Sequence, residues 1–430
     1  MAMRELHFSR YRNDLKLSHY LFRFPAKFHP PAARCLLERF SAPGNTVLDP
    51  FCGSGTLLVE ARVSGRTSIG LDVDPLSVFI SRVKARPLSS RRLERGFDRL
   101  QKRLAEIRRS SADYDRFIHS DLDQHSIKRL AERFHIPNIP NLSHWFRTYV
   151  AIDLARLRCA ILECDITEDL RAFFLACFAS TIRNASNADP VPVSGLEVTR
   201  HMRERDERGR RIDPFALFEI KVRREMAGMN ELHTAATDAR VRVLQGDARS
   251  IARLIPDRSI DSIITSPPYN TAVDYYRRHT LEMYWLGLVH SHDERLALAR
   301  KYVGREQVRL RSWYLRWHTE SAYLKRLLEH AARVGPNRER ALRHYCASMD
   351  RTLRQMARVL KAKAPAVIVV GNAKWNGRRV RATRLIEELA GQDFRVQEKL
   401  TYSTANRYMS YSRHNGANVN REYVVVLRRR

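Results

Sequence analysis

The four residues Ser266-Pro267-Pro268-Tyr269 have the clearest chemical use in the chain, and they follow the apolar run Ile263-Ile264-Thr265. Two prolines fix φ and remove two N–H donors, so the loop offers carbonyl oxygens and the Ser266 hydroxyl as acceptors. Such acceptors suit an amino group on an aromatic ring, whose lone pair is conjugated away. Two hydrogen bonds to its protons favour a pyramidal nitrogen and free the lone pair for attack. Tyr269 adds a flat face on which a base can stack, worth roughly 1–3 kcal/mol. Alone, the four residues read equally well as an ordinary proline turn.

A second constellation is Asp49-Pro50-Phe51-Cys52-Gly53-Ser54-Gly55-Thr56, at a strand-to-helix junction. Glycines there let the backbone approach a ligand that a Cβ would block. About 20 residues on, Gly70-Leu71-Asp72-Val73-Asp74-Pro75 ends the next strand with a carboxylate placed to accept both ribose hydroxyls of a nucleoside. There is no G-K-[ST], which excludes a triphosphate P-loop. Leu58 stands where a dinucleotide fingerprint has its third glycine. A carboxylate at the loop entrance, Asp49, suits a ligand carrying an ammonium or sulfonium, and S-adenosylmethionine carries both.

These residues resemble a known family. D-P-F-C-G-S-G-T followed by G-L-D-V-D-P is similar to the cofactor motifs of amino-group DNA methyltransferases, the N4-cytosine and N6-adenine type with an S-P-P-Y catalytic motif. Upstream, Phe24-Pro25-Ala26-Lys27-Phe28-His29-Pro30 resembles the segment that closes over the methionine end of the cofactor there. Gly246-Asp247, 20 residues before the proline loop, stands where that family places an adenine-binding carboxylate. The likeness covers about 20–86 and 240–430. It implies methyl transfer from S-adenosyl-L-methionine to a flipped-out base, with Ser266, Pro267, Pro268 and Tyr269 as the catalytic loop. The cofactor set it implies is Phe24, Pro25, Lys27, the run from Asp49 to Thr56, Asp72 and Asp247, with no metal.

The resemblance narrows the target. Methylation at cytosine C5 needs a cysteine nucleophile, which follows a proline in that family, and none of the six cysteines does. Serine at the head of the catalytic loop is commoner among N4-cytosine enzymes and aspartate among N6-adenine enzymes. Cytosine N4 is therefore the expected target and adenine N6 the alternative, with RNA base methylation or non-catalytic DNA binding as further readings. Double-stranded DNA is the expected partner, and a cognate restriction endonuclease is the partner class left open.

Positioning these loops requires strands. Asn45–Leu48, Arg66–Leu71, Val241–Leu244, Ile260–Thr265 and Ala366–Val370 read as strands, with Thr56–Ser64 and Ala347–Leu360 as helices and 394–400 with 423–427 as a closing pair. The expected fold is α/β: a Rossmann-like methyltransferase sheet, mostly parallel with an antiparallel final strand, carrying a mainly helical basic insertion. Residues 1–86 form the cofactor half, 87–238 the helical insertion and candidate for target recognition, and 239–430 the catalytic half. A smaller insertion falls at about 290–345. The charged run His201–Arg211 reads as a loop or mobile arm. His279 and Glu282 fall three apart on a helix, where capping and packing compete with acid/base roles. The polar stretches Asn406–Met409 and Asn415–Asn420 read as a DNA contact or a hairpin loop.

Composition agrees with a polyanion partner. Lys+Arg 77 against Asp+Glu 47 gives +30 over 430 residues, a field that attracts nucleic acid. No C-x-x-C pair or His cluster suggests zinc. No stretch approaches the roughly 20 apolar residues of a membrane span. The start lacks the apolar core of a secretory signal, so a cytoplasmic location is expected.

Overall fold

The computed structural model describes residues 3–8, 16–25, 27–108, 133–190, 195–270, 275–305, 307–308, 312–375, 378–403 and 421–430. The strands are β1 (Arg4–Glu5), β2 (Thr46–Asp49), β3 (Thr67–Asp72), β4 (Val241–Gln245), β5 (Ser262–Thr265), β6 (Pro365–Gly371), β7 (Ala373–Trp375), β8 (Arg378–Val380), β9 (Phe394–Ser403) and β10 (Arg421–Arg429). Eight of them form one sheet in the order β1-β9-β10-β6-β5-β2-β3-β4, and β7 pairs with β8 apart from it. From β6 through β4 every pairing is parallel, while β10 is antiparallel to both β6 and β9. This is an α/β, Rossmann-like sheet, mostly parallel, with β10 antiparallel as expected.

The strand sequences explain their depth. In β6, Val367 and Val369 face one apolar cluster, while Ala366, Ile368 and Val370 face another. A strand covered on both faces needs no polar alternation, hence the unbroken apolar run. One face carries α1 (Pro30–Phe40) and α2 (Thr56–Val63), through Leu36, Leu37, Leu57 and Ala61. The other carries α10 (Ala322–Val334), α11 (Pro336–Val359) and α12 (Ala382–Ala390). Helix α11 runs through residue 345 as one piece, so the predicted helix at Ala347 begins earlier than its apolar run suggests.

Between β3 and β4 the described elements are helical: α3 (Pro75–Lys84), α4 (Ser90–Ile107), α5 (Thr148–Glu163), α6 (Glu168–Ala185), α7 (Arg200–Glu207) and α8 (Pro214–Ala235), besides the single turn Leu142–Trp145. All of these helices but α7 share a separate apolar cluster with α9 (Thr280–Trp285), whose Trp285 meets Phe146 and Phe178 edge-on. The charged run beginning at His201 is a correction: most of it is α7, not a loop. Thr199 caps it, its hydroxyl accepting from the Met202 amide, Met202 is buried, and Asp206 pairs with Arg147 at 3.0 Å. Among the described residues no helix is long and apolar enough to cross a membrane.

Candidate active site

Strand order reverses at β2 and β5: the chain proceeds outward from β2 to β3 and β4, then returns to β5 on the other side. Open α/β sheets bind ligands at the carboxyl ends beside such a switch point. Asp49 ends β2, Asp72 ends β3, Asp247 follows β4 and Ser266 follows β5. The sheet therefore gathers, at one edge, residues dispersed over more than half the sequence.

The loop after β2 is held by its own neighbourhood. Gly53 and Gly55 have φ of 49° and 74°, the left-handed region that side chains resist. A Cβ at Gly55 would lie 2.9 Å from the Ser81 Cβ and 3.1 Å from its Cα. The Ser81 hydroxyl donates to the Gly53 carbonyl at 2.6 Å. The glycine that Leu58 displaces has its packing role supplied from the opposite side. Leu58 inserts at Gly70 of β3, where a Cβ would lie 2.6 Å from its Cδ1.

The carboxylates are buried and perturbed. Asp72 accepts from the Gly53 amide at 2.9 Å and the Asp74 amide at 3.0 Å. Burial, then the charge of Asp74, pushes its carboxyl up to about 7. Asp49 accepts from the Thr265 hydroxyl at 2.6 Å and the Phe51 amide at 3.1 Å, and burial raises it too to about 7. The Thr265 bond ties the cofactor loop directly to the strand end that launches Ser266. Asp247 receives the Arg249 guanidinium in a fork, with a shortest contact of 2.7 Å, and Arg249 also donates to the Lys301 carbonyl at 2.9 Å. Lys27 donates to the His19 carbonyl at 3.1 Å and lies 4.3 Å over the Tyr20 ring. Burial lowers its pKa to about 8.

One cavity is lined by Phe24, Lys27, Asp49, Pro50, Phe51, Cys52, Gly53, Ser54, Thr56, Asp72, Asp247, Ser266 and Pro268 of the expected set. Pro25, Gly55, Pro267 and Tyr269 do not line it. Pro25, Gly55 and Pro267 are buried behind it, and the Tyr269 hydroxyl donates to Glu422 at 3.1 Å. His279 and Glu282 face different partners: His279 lies 3.7 Å from Asp74, whereas Glu282 faces Arg183 at 3.5 Å. Asp274 and the polar stretches within 406–420 lie outside the described residues.

Sequence reading missed Asp74, Thr265, Arg249, Glu422 and the wall Lys301–Val303. Asp74 had a signal, because Asp before Pro is a helix N-cap pattern, and its side chain caps α3 through the Leu76 amide at 3.0 Å. Thr265 and Glu422 had none, since their partners are remote in sequence.

S-adenosylmethionine suits these residues. Asp72 offers carboxylate acceptors for a ribose diol, and Asp49 offers a buried acid for a cationic group. Gly53 leaves a cradle that a Cβ would narrow, at 3.2 Å from the Phe24 ring.

Residues 4–80 match the family described as DNA methylase of the N6/N4 type. The chain is 26% identical over 294 residues to the Type II methyltransferase M.MvaI of Kocuria varians, covering 64% of this chain and 59% of that protein. It is 23% identical to the Type II methyltransferase M.BsoBI of Geobacillus stearothermophilus, covering 63% of this chain and 53% of that one. It thus spans little more than half the length of these relatives. Among solved structures, TrmN from Thermus thermophilus aligns with a TM-score of 0.33 at 11% identity, over 94% of this chain and 50% of that one. These matches support an amino-group DNA methyltransferase family, in which S-adenosylmethionine is the methyl donor.

Proposed function

We propose that the chain methylates an exocyclic amino group of a base in double-stranded DNA, with N4 of cytosine as the target and N6 of adenine as the alternative. The observation that supports this reading is the single cavity lined by Ser266 and Pro268 together with Asp49, Asp72 and Asp247. When bound, S-adenosylmethionine supplies an electrophilic methyl group on its sulfonium.

The chain's own residues do the rest. Asp72 and Asp247 hold the ribose and adenine, and Asp49 with Gly53–Gly55 shapes the methionine end beneath Phe24, Pro25 and Lys27. The Ser266 hydroxyl and the proline-loop carbonyls accept hydrogen bonds from the two amino N–H groups of the target base, turning its nitrogen lone pair toward the methyl group. As the N–C bond forms, the S–CH3 bond would break to leave a neutral thioether, and the nitrogen would release one proton to water. Tyr269 gives the flipped base a stacking face, and Pro267 and Pro268 keep the acceptors from relaxing away. No cysteine adduct is required, because the amino nitrogen is itself the nucleophile. Serine at the head of the loop favours cytosine through the family tendency described above. The helical region 87–238, with the smaller stretch at about 290–345, supplies candidate target-reading and phosphate-gripping surfaces. A type II role, as in the named relatives, would pair the chain with a cognate restriction endonuclease in the cytoplasm.

The test is expression in a bacterium free of DNA methylation, followed by single-molecule sequencing of its genome. N4-methylcytosine at a short fixed motif is expected. N6-methyladenine alone would transfer the assignment to adenine. Neither mark, from protein that binds S-adenosylmethionine, would refute the reading.

A further inference from the structure

We propose that Glu422 is a positioning residue for the catalytic loop, holding the Tyr269 ring through its hydroxyl. The inference rests on the methyltransferase reading above. If Tyr269 served only as a stacking face, its hydroxyl would be dispensable. The structure gives that hydroxyl a partner 153 residues away: it donates to Glu422 Oε1 at 3.1 Å.

The sheet makes this contact. Strand β10 is antiparallel to β6, so its first residues lie at the carboxyl end of the parallel strands, with Glu422 opposite Gly371. Strand β6 separates it from β5, and Tyr269 reaches over that strand's end. On its other side Glu422 pairs in register with Tyr402 of β9, whose hydroxyl donates to Glu422 Oε2. Thr401 donates to the Glu422 carbonyl at 3.0 Å. Tyr402 is fully buried and meets the Phe8 ring edge-on at 5.1 Å. Each carboxylate oxygen of Glu422 thus accepts from one tyrosine, and the more deeply buried tyrosine fixes the carboxylate that the catalytic one must find.

The other end of Tyr269 is held as well. Its carbonyl packs against Gly304, where a Cβ would lie 3.0 Å away, and its ring leans on the apolar cluster beneath α11. A phenol bound to a carboxylate makes a charge-assisted hydrogen bond, stronger and more directional than a neutral one. Backbone contact at one end and that bond at the other leave the ring little freedom. A stacking platform needs that restriction, because a base arriving on a swinging ring meets the methyl donor off-line.

The experiment measures single-turnover methyl transfer from labelled S-adenosylmethionine to unmethylated bacterial genomic DNA, with cofactor binding and melting temperature read on the same proteins. Glu422→Ala should lower transfer about tenfold with cofactor affinity unchanged, the loss expected for one hydrogen bond to a charged group. Glu422→Gln, which keeps an acceptor, should recover most of the rate. Tyr269→Phe should fall by a similar factor, and Tyr269→Phe combined with Glu422→Ala should be no slower than either alone. Wild-type transfer by Glu422→Ala or by Tyr269→Phe would overturn the proposal, as would losses that multiply in the double variant. Should Glu422→Ala fail to fold, Tyr269→Phe carries the test alone, with a wild-type rate as the contrary result. Absence of transfer by the unsubstituted chain defeats the underlying reading instead, which separates the two failures.

Discussion

The loops after β2 and β5 sit side by side at the switch point, yet they are held in different ways. The cofactor loop is fastened by near neighbours and backbone groups: Gly55 to the Cys52 carbonyl, Cys52 to the Leu71 carbonyl, Gly53 to Asp72, and Ser81 to Gly53. The proline loop has given up two of its own N–H donors and depends on distant side chains and backbone, namely Glu422 and Gly304. Only the Thr265 hydroxyl on Asp49 joins them directly among the described hydrogen bonds. A loop built from its own backbone can present a fixed cradle to an invariant cofactor. A loop stiffened by proline and braced from afar can be re-aimed by changing the brace.

The widest separation between the two should come from paired substitutions. Gly55→Ala adds a Cβ at positive φ within 3.1 Å of the Ser81 backbone, so cofactor affinity should fall at least about a hundredfold through strain and overpacking. Tyr269→Ala should leave cofactor affinity unchanged and slow methyl transfer by about a hundredfold, the upper range for a lost stacking face. Calorimetric titration and single-turnover transfer on both proteins make the comparison. It breaks if Tyr269→Ala weakens cofactor binding as severely as Gly55→Ala does.

A smaller effect is expected at the brace. Gly304 has φ of 83°, and a Cβ there would press on the Tyr269 carbonyl at 3.0 Å and the Pro268 ring at 3.6 Å. Gly304→Ala should shift the proline loop by a fraction of an ångström and slow transfer about tenfold, less than the hundredfold of a full 1 Å misplacement. The same titration should show cofactor affinity little changed. Equal losses in binding and transfer would show that this glycine supports the whole cavity and not the catalytic loop.

How these elements are held also decides what could be read from the chain. Strands β2, β5 and β6 were legible because they are short, largely buried runs ending in Asp, Gly or Thr-Ser-Pro, and β3 because it closes on Gly-Leu-Asp. The gathering of Asp49, Gly53 and Asp72 round one cavity was legible because their spacing is local. Glu422 was not: in Arg421-Glu422-Tyr423 it looks like a surface charge, and only the antiparallel insertion of β10 beside β6 brings it to Tyr269. Helix α7 was misread for a related reason. Its charges dominate the composition, while a buried methionine, a threonine cap and the Asp206 pair with Arg147 hold it. Composition reports what a segment can tolerate, and tertiary contacts decide what it does.

The mildest prediction concerns pH, and it tests whether the cradle is poised for a cation. Asp49 and Asp72 are both raised to about 7 by burial, with the Asp74 charge adding to the shift at Asp72. A carboxyl whose pKa is higher folded than unfolded binds protons in the native state that the unfolded chain has released. These two carboxyls should therefore withdraw stability as pH climbs from about 4 to about 7, opposed in the same window by His19 and His344, which burial lowers to about 4. A ligand with a sulfonium and an ammonium favours the ionised carboxylates, so binding should release protons in the same window. Affinity for S-adenosylmethionine should rise several-fold between pH 6 and 7.5, below the roughly tenfold per pH unit that a full proton per site would give. Two melting curves at each pH, with and without cofactor, isolate the protons linked to binding, because groups remote from the cavity cancel in the difference. The gap opened by the cofactor should widen as pH rises. A gap that stays constant across this range would mean that neither carboxyl changes protonation when the cofactor binds, and the cradle would owe its selectivity to shape alone.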